Sequence, residues 1–162
     1  MWGKKKAAML EAGGHAPAFE LKSLNGEKRS LDDILAAGPA LLAFYKVSCP
    51  VCQLTFPYLE RLAAGSSLQI IGISQDDDSS TKGFNQRFGV TFPTLLDQSK
   101  ESYPASNAYG ISTVPSLFVV NKDGQIALAF SGFSKRDLEK VGERAGVKPF
   151  QPEDNVPEWK AG

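Results

Sequence analysis

The sequence predicts an α/β domain with a central mixed, mostly parallel β-sheet, helices on both faces and an antiparallel hairpin at one edge. Three observations carry this. Residues 40–47 and 68–73 are nearly continuous apolar runs, which suit strands covered on both faces. Segments with helical spacing and capping signals alternate with these runs. Residues 116–120 and 125–130 flank Asn121-Lys122-Asp123-Gly124, a hairpin turn signal. The 162 residues make one domain's worth of chain, long enough to bury a core without a disulfide scaffold.

The elements follow in order. Residues 18–21 alternate as a strand does, and Asn25-Gly26 marks a turn. Ser30 caps a short helix over 31–37, which Gly38-Pro39 stops. The apolar run 40–47, broken only by Lys46, leads into Ser48-Cys49-Pro50-Val51-Cys52. Pro50 sits where a helix begins, since its missing N–H costs nothing in the first turn. Leu54, Tyr58 and Leu62 then form the expected buried stripe, Pro57 kinks the helix and Gly65 ends it. After the strand at 68–73, Asp78 or Ser79 caps a helix carrying Phe84 and Phe88 and closed by Gly89. A short strand at 92–96 precedes a helix through 105–109 that ends at Gly110. Beyond the hairpin, Ser134 caps a last helix through Leu138 and Val141, closed by Gly146. The domain spans 14–147, with an N-terminal extension at 1–13 and a proline-rich tail at 148–162. That tail is expected to be extended, with Trp159 loose near its end.

Composition excludes several classes. Lys+Arg and Asp+Glu are 18 each, and zero net charge argues against nucleic acid or an anionic membrane as the main partner. The single histidine, His15, excludes a site built from several. No segment approaches the roughly 20 apolar residues of a membrane span. The lysines at 4–6 resemble the start of a signal peptide, but Glu11 and Gly13-Gly14 interrupt any apolar region. The expected location is therefore cytoplasmic, with periplasmic as the alternative if a leader has been removed.

The two cysteines, Cys49 and Cys52, are separated by two residues between a buried strand and a helix start. A thiolate is the nucleophile of disulfide exchange, and a helix N-terminus favours it through unpaired N–H groups and partial positive charge. Cys49 takes that place. Cys52, nearly a turn further in, is more buried and less ionised. Cys49 is thus the expected nucleophile and Cys52 the resolving thiol. Half of an intermolecular zinc site and an inert structural disulfide are the other readings. A complete zinc site within the chain lacks ligands, and so short a loop constrains the unfolded chain little.

Several segments together resemble a known family. Phe44-Tyr45-Lys46-Val47-Ser48-Cys49-Pro50-Val51-Cys52, with Pro57 eight residues after Cys49, is similar to the active-site segment of thioredoxin-like proteins. The TlpA/ResA-type thiol–disulfide oxidoreductases of the redoxin (AhpC/TSA) group are the most similar branch. Gly14-His15-Ala16-Pro17 resembles that group's N-terminal motif, and Tyr109-Gly110-Ile111-Ser112-Thr113-Val114-Pro115 its cis-proline segment. The resemblance implies a thioredoxin-like fold, a cis Val114–Pro115 bond facing the cysteines, and a Val114 backbone able to pair with an extended substrate. It implies no cofactor beyond the Cys49–Cys52 couple. The implied partners are protein disulfides or dithiols and a thiol electron donor, with the chain acting as a monomer. Pro50, Val51, Ser48 and Lys46 would tune the site, Lys46 through its charge unless it is simply solvated.

Two departures stand out. Ala43 occupies the place of the buried Asp of thioredoxins, and Thr55 that of the Glu of ResA-like proteins. The carboxylate that serves the buried thiol is therefore missing from both positions. Ser48 also replaces the tryptophan common before the first cysteine. A peroxiredoxin-like peroxidase is the main alternative, but Pro115 stands where that family's arginine would precede the strand. A redox sensor or binding module on the same fold is the other. The run Asp76-Asp77-Asp78 reads as a solvated loop whose last member caps the next helix, with cation binding as the alternative.

Overall fold

A computed structural model describes residues 8–162, so the lysines at 4–6 lie outside the described residues. Seven strands form one sheet: β1 (Glu20–Ser23), β2 (Lys28–Ser30), β3 (Ala40–Tyr45), β4 (Gln69–Ser74), β5 (Thr94–Leu96), β6 (Ser116–Val120) and β7 (Ile126–Ser131). Their spatial order is β2-β1-β5-β4-β3-β6-β7. Only β3–β4 and β4–β5 pair in parallel; β3–β6, β6–β7, β1–β5 and β1–β2 are antiparallel. The sheet is thus mixed, with antiparallel pairs on both sides of the parallel centre rather than one hairpin at one edge. The second hairpin, β1–β2, leaves no apolar pattern in the sequence because β2 is three polar residues.

Side-chain alternation along β3 feeds two cores. Leu41, Ala43 and Tyr45 face one cluster, which includes Cys52, Phe56 and Leu59 of α2 (Pro50–Leu62), Phe84 of α3 (Asp78–Phe88) and Leu138 of α5 (Lys135–Ala145). Ala40, Leu42 and Phe44 face the other, with Ile34 of α1 (Leu31–Ala37) and Ala105 of α4 (Pro104–Ala108). This two-sided burial is why the run 40–45 lacks polar alternation. The strand ends at Tyr45 rather than residue 47, because Cys49 N–H closes a turn on the Lys46 carbonyl at 3.2 Å.

Two helix expectations change. The face of α2 buried on the sheet is Cys52, Thr55, Phe56, Leu59 and Leu62. Leu54 and Tyr58 are only partly buried, and Tyr58 packs on Phe150 of the C-terminal segment, ring centroids 4.9 Å apart. The cap of α3 is Asp77, which accepts the Ser80 N–H at 2.7 Å, not Asp78 or Ser79.

The C-terminal segment is laid along the body. Arg61 holds Asp154 through two bonds of 2.7 and 3.0 Å and donates to the Pro149 carbonyl at 3.1 Å. Beyond it, β9 (Trp159–Lys160) pairs antiparallel with β8 (Phe133–Ser134). The backbone around Trp159 is therefore docked, contrary to expectation, while its side chain stays 62% exposed. The tail is also not extended throughout, since Pro152–Asp154 form one 3-10 turn with the proline at its start; proline content argues against a long helix but against neither such a turn nor a paired edge.

Candidate active site

The end of β3 and the start of α2 place the cysteines. Cys49 is the N-cap of α2 with extended backbone (φ −86, ψ 114), and Pro50 occupies the first helical turn. An N-cap side chain normally accepts the orphan amides of the first turn. Here a sulfur does so: Cys52 N–H donates to Cys49 Sγ at 3.2 Å. Both cysteines are free thiols, Cys49 partly exposed and Cys52 fully buried.

The environment separates the two groups. The Cys49 thiol is pulled from its usual range to about 6. The largest cause is hydrogen bonding from the Cys52 thiol, which outweighs the opposing cost of burial; backbone N–H groups of Cys52 and Val51 and the charge of Lys46 add to it. Burial pushes the Cys52 thiol strongly upward, with the Cys49 thiol and the charge of Asp76 acting in the same direction. At neutral pH one sulfur is a thiolate at the surface and the other a protonated thiol beneath it.

The Val114–Pro115 peptide is cis. It brings the Val114 carbonyl to the cysteines, where the protonated Cys49 thiol donates to it at 3.3 Å. Pro115 is buried, and Ser48, Pro50 and Lys46 are exposed around the thiol. Val114 and Lys46 also line a polar hollow of about 200 Å³, together with Gln75, Ser106, Asn107 and Thr113. Its far wall is fixed by the fully buried Asp97, which accepts the N–H groups of Ala105 and Ser106 at 2.9 and 2.7 Å.

The positions that lack a carboxylate are inert. Ala43 is fully buried, and the buried Thr55 hydroxyl donates to the Val51 carbonyl at 2.7 Å. A carboxylate reaches the site from elsewhere. Asp76 Oδ2 accepts the Val47 N–H at 2.8 Å, just ahead of the cysteines. Sequence reasoning passed over Asp76 as part of a solvated run. A signal was present: three consecutive aspartates exceed what one helix cap uses. His15 bonds the Gly124 carbonyl through Nδ1 at 3.2 Å, packing at the hairpin far from this chemistry in the chain. Among the described residues no group of three or more His, Cys, Asp or Glu is placed to hold a metal ion, and no helix is long and apolar enough to cross a membrane.

The AhpC/TSA family model matches residues 12–129, which include both cysteines and Pro115. The chain belongs to the AhpC/TSA family. Within this redoxin group it is similar to thiol-disulfide oxidoreductase ResA of Geobacillus kaustophilus, 29% identical over 145 residues, covering 86% of this chain and 80% of that protein. Among solved structures, the thioredoxin domain of a thiol-disulfide oxidoreductase from Bacteroides vulgatus superposes with a TM-score of 0.74 at 24% identity, covering 83% of this chain and 97% of that one. The peroxidoxin BcpB of Mycobacterium tuberculosis superposes with a TM-score of 0.67 at 23% identity, over 84% and 94% of the two chains. Both structures share the thioredoxin-like fold with this redoxin. Family and relatives together make it a TlpA/ResA-like oxidoreductase.

Proposed function

We propose that the chain exchanges disulfides through the Cys49-Pro-Val-Cys52 dithiol, with protein disulfides or dithiols and a thiol electron donor as its partners. The observation that carries this reading is the asymmetry of the pair: a partly exposed thiol drawn down to about 6 over a buried thiol driven upward. In the reducing direction the Cys49 thiolate attacks one sulfur of the substrate disulfide. That bond breaks, a mixed disulfide forms and the first substrate sulfur leaves as a thiolate, which takes a proton from water. Cys52 then gives up its proton and attacks Cys49 Sγ. The mixed disulfide breaks, the second substrate thiolate leaves and takes up that proton, and the chain ends as the Cys49–Cys52 disulfide. Two electrons pass to the substrate, and the reverse sequence oxidises a dithiol.

Lys46 supports the reading through its charge on Cys49, and Pro50 and Val51 through the helix start they form. The peroxidase reading calls for an arginine ahead of this strand to polarise the peroxide; Pro115 precedes β6 in its place.

The test is Cys52→Ser in the full chain. It should accumulate a mixed disulfide with a polypeptide disulfide, seen by mass spectrometry as an adduct on Cys49 that a dithiol removes. No adduct, together with no reduction of either insulin or hydroxyethyl disulfide by the reduced wild-type chain, overturns the reading. Rapid consumption of peroxide in its place favours the peroxidase.

A further inference from the structure

The C-terminal segment ends on the Val114 carbonyl. The fit there is so close that a Cβ on Gly162 would stand 2.3 Å from Val114 O and 2.9 Å from the Val114 carbonyl carbon. The approach is prepared upstream. Lys160 crosses Gly132, where a Cβ would meet the Lys160 carbonyl oxygen at 2.3 Å. Gly132 in turn donates its N–H to the Pro115 carbonyl at 2.9 Å. Two glycines therefore allow backbone-on-backbone contact where any side chain would collide. Behind them the segment is held by the β8–β9 pairing, by Lys135 N–H on the Glu158 carbonyl at 3.0 Å, and by the Arg61–Asp154 clamp. The segment itself and β8 lie outside residues 12–129, the part that the family model matches, while Arg61, Val114 and Pro115, which receive it, lie inside.

Val114 O also lies 3.3 Å from Cys49 Sγ. The segment thus occupies backbone beside the nucleophile, on the strip that an extended polypeptide would need for strand-like pairing. We infer that residues 159–162 are a specificity element: they fill the polypeptide-docking strip at Val114, hold extended polypeptide disulfides back from Cys49, and leave small disulfides free to reach it. This rests on the disulfide-exchange reading and narrows its substrate. A small disulfide needs only the sulfur of Cys49 and the space around it. A polypeptide must first displace the strap, at the cost of the hydrogen bonds that hold it, each a factor of roughly 2 to 10.

The experiment compares single-turnover oxidation of the reduced full-length chain by insulin and by hydroxyethyl disulfide, in wild type, Lys160→Pro and Gly162→Val. Proline removes a backbone donor from the β8–β9 pair. Valine bars the contact with Val114 while leaving that pair in place. Both variants should raise the ratio of the insulin rate to the small-disulfide rate, Lys160→Pro by about tenfold, with the small-disulfide rate within about twofold of wild type. A ratio unchanged in either variant overturns the inference while leaving disulfide exchange intact. Loss of rate on both substrates overturns it too, because the segment would then be part of the working site. No reaction of the wild type with either disulfide removes the reading on which the inference rests.

Discussion

Replacing Cys52 by alanine should raise the pH at which Cys49 ionises, and the size of the change follows from the site. The Cys52 thiol is the strongest of the groups that draw Cys49 down to about 6, ahead of the backbone N–H groups and Lys46, while burial opposes them. A hydrogen bond to a charged group contributes roughly 1.5–3 kcal/mol in protein interiors. One pH unit of ionisation corresponds to about 1.4 kcal/mol. Cys49 is partly exposed, so solvent screening places the change at the lower end, about one pH unit. The assay is the pH dependence of iodoacetamide labelling of the reduced protein, with the label located on Cys49 by mass spectrometry. Wild type should show one rise centred near 6 and then a plateau. The alanine variant should show the same rise displaced upward. For the wild type, about 90% of Cys49 is thiolate at pH 7, against about 1% for a thiol of ordinary value 9.0. Thiolate reactivity falls with basicity by a Brønsted slope of about 0.4–0.5, so exchange at pH 7 gains only roughly 3–6-fold over such a thiol. Near pH 5.5 the gain grows to roughly 25–50-fold, because the ordinary thiol is then almost wholly protonated. A wild-type midpoint near 9, or an alanine variant with an unmoved midpoint, refutes the reasoning.

Two further outcomes follow from the same groups. The folded-state value of Cys49 lies below its unfolded value, so the unfolded chain binds more protons between pH 6 and 9; the reduced protein should gain stability with rising pH across that range and lose it as pH falls through about 6. Cys52, Tyr45 and Tyr109 are displaced upward by burial, so the stability they contribute is lost above their unfolded values, from about pH 9 upward. Urea unfolding across this range, repeated with Cys49→Ser, checks both limbs, and a rise that survives the serine variant counts against the assignment. Asp76→Asn keeps an acceptor for the Val47 N–H but removes the charge that helps push Cys52 upward, so in a Cys49→Ser background the Cys52 thiolate absorbance should emerge at lower pH. An unchanged titration would show that Asp76 serves only the backbone.

Much of the fold was legible because burial on two faces leaves a compositional mark. The runs that became β3 and β4 could be read directly, as could the helix caps at Ser30 and Ser134, both of which accept the N–H three residues on. The cysteine pair was legible for a related reason: a strand followed by a helix-starting proline fixes where the first sulfur sits. The misreadings share one cause, that local spacing does not say what covers a face. Leu54 and Tyr58 have the right spacing for the core, but the helix they belong to is covered on a second side by Phe150. Asp78 was an adequate cap by type, yet Asp77 caps because Asp76 is committed to Val47 and the turn begins one residue earlier. Nothing local marks Lys160 and Gly162 as neighbours of Gly132 and Val114, since β8–β9 is a two-residue pair joined across the whole of α5.

The absent carboxylates then have a topological explanation. In β3 the positions that face the cysteines are already spent on packing: Ala43 is fully buried among Leu41, Tyr45 and Cys52, and Thr55 on α2 returns its hydroxyl to its own helix. A charge buried at either place would need partners that the apolar cluster does not supply. The parallel register of β3 with β4 pairs Tyr45 with Ser74, so the residues two beyond each strand, Val47 and Asp76, emerge side by side at the same edge. A carboxylate leaving β4 can therefore stand beside the chain just ahead of α2 on partly exposed ground and still act on Cys52 through its field. The site keeps its charge near the buried thiol by borrowing it from the neighbouring strand end, and that end exists only because the two strands run in parallel.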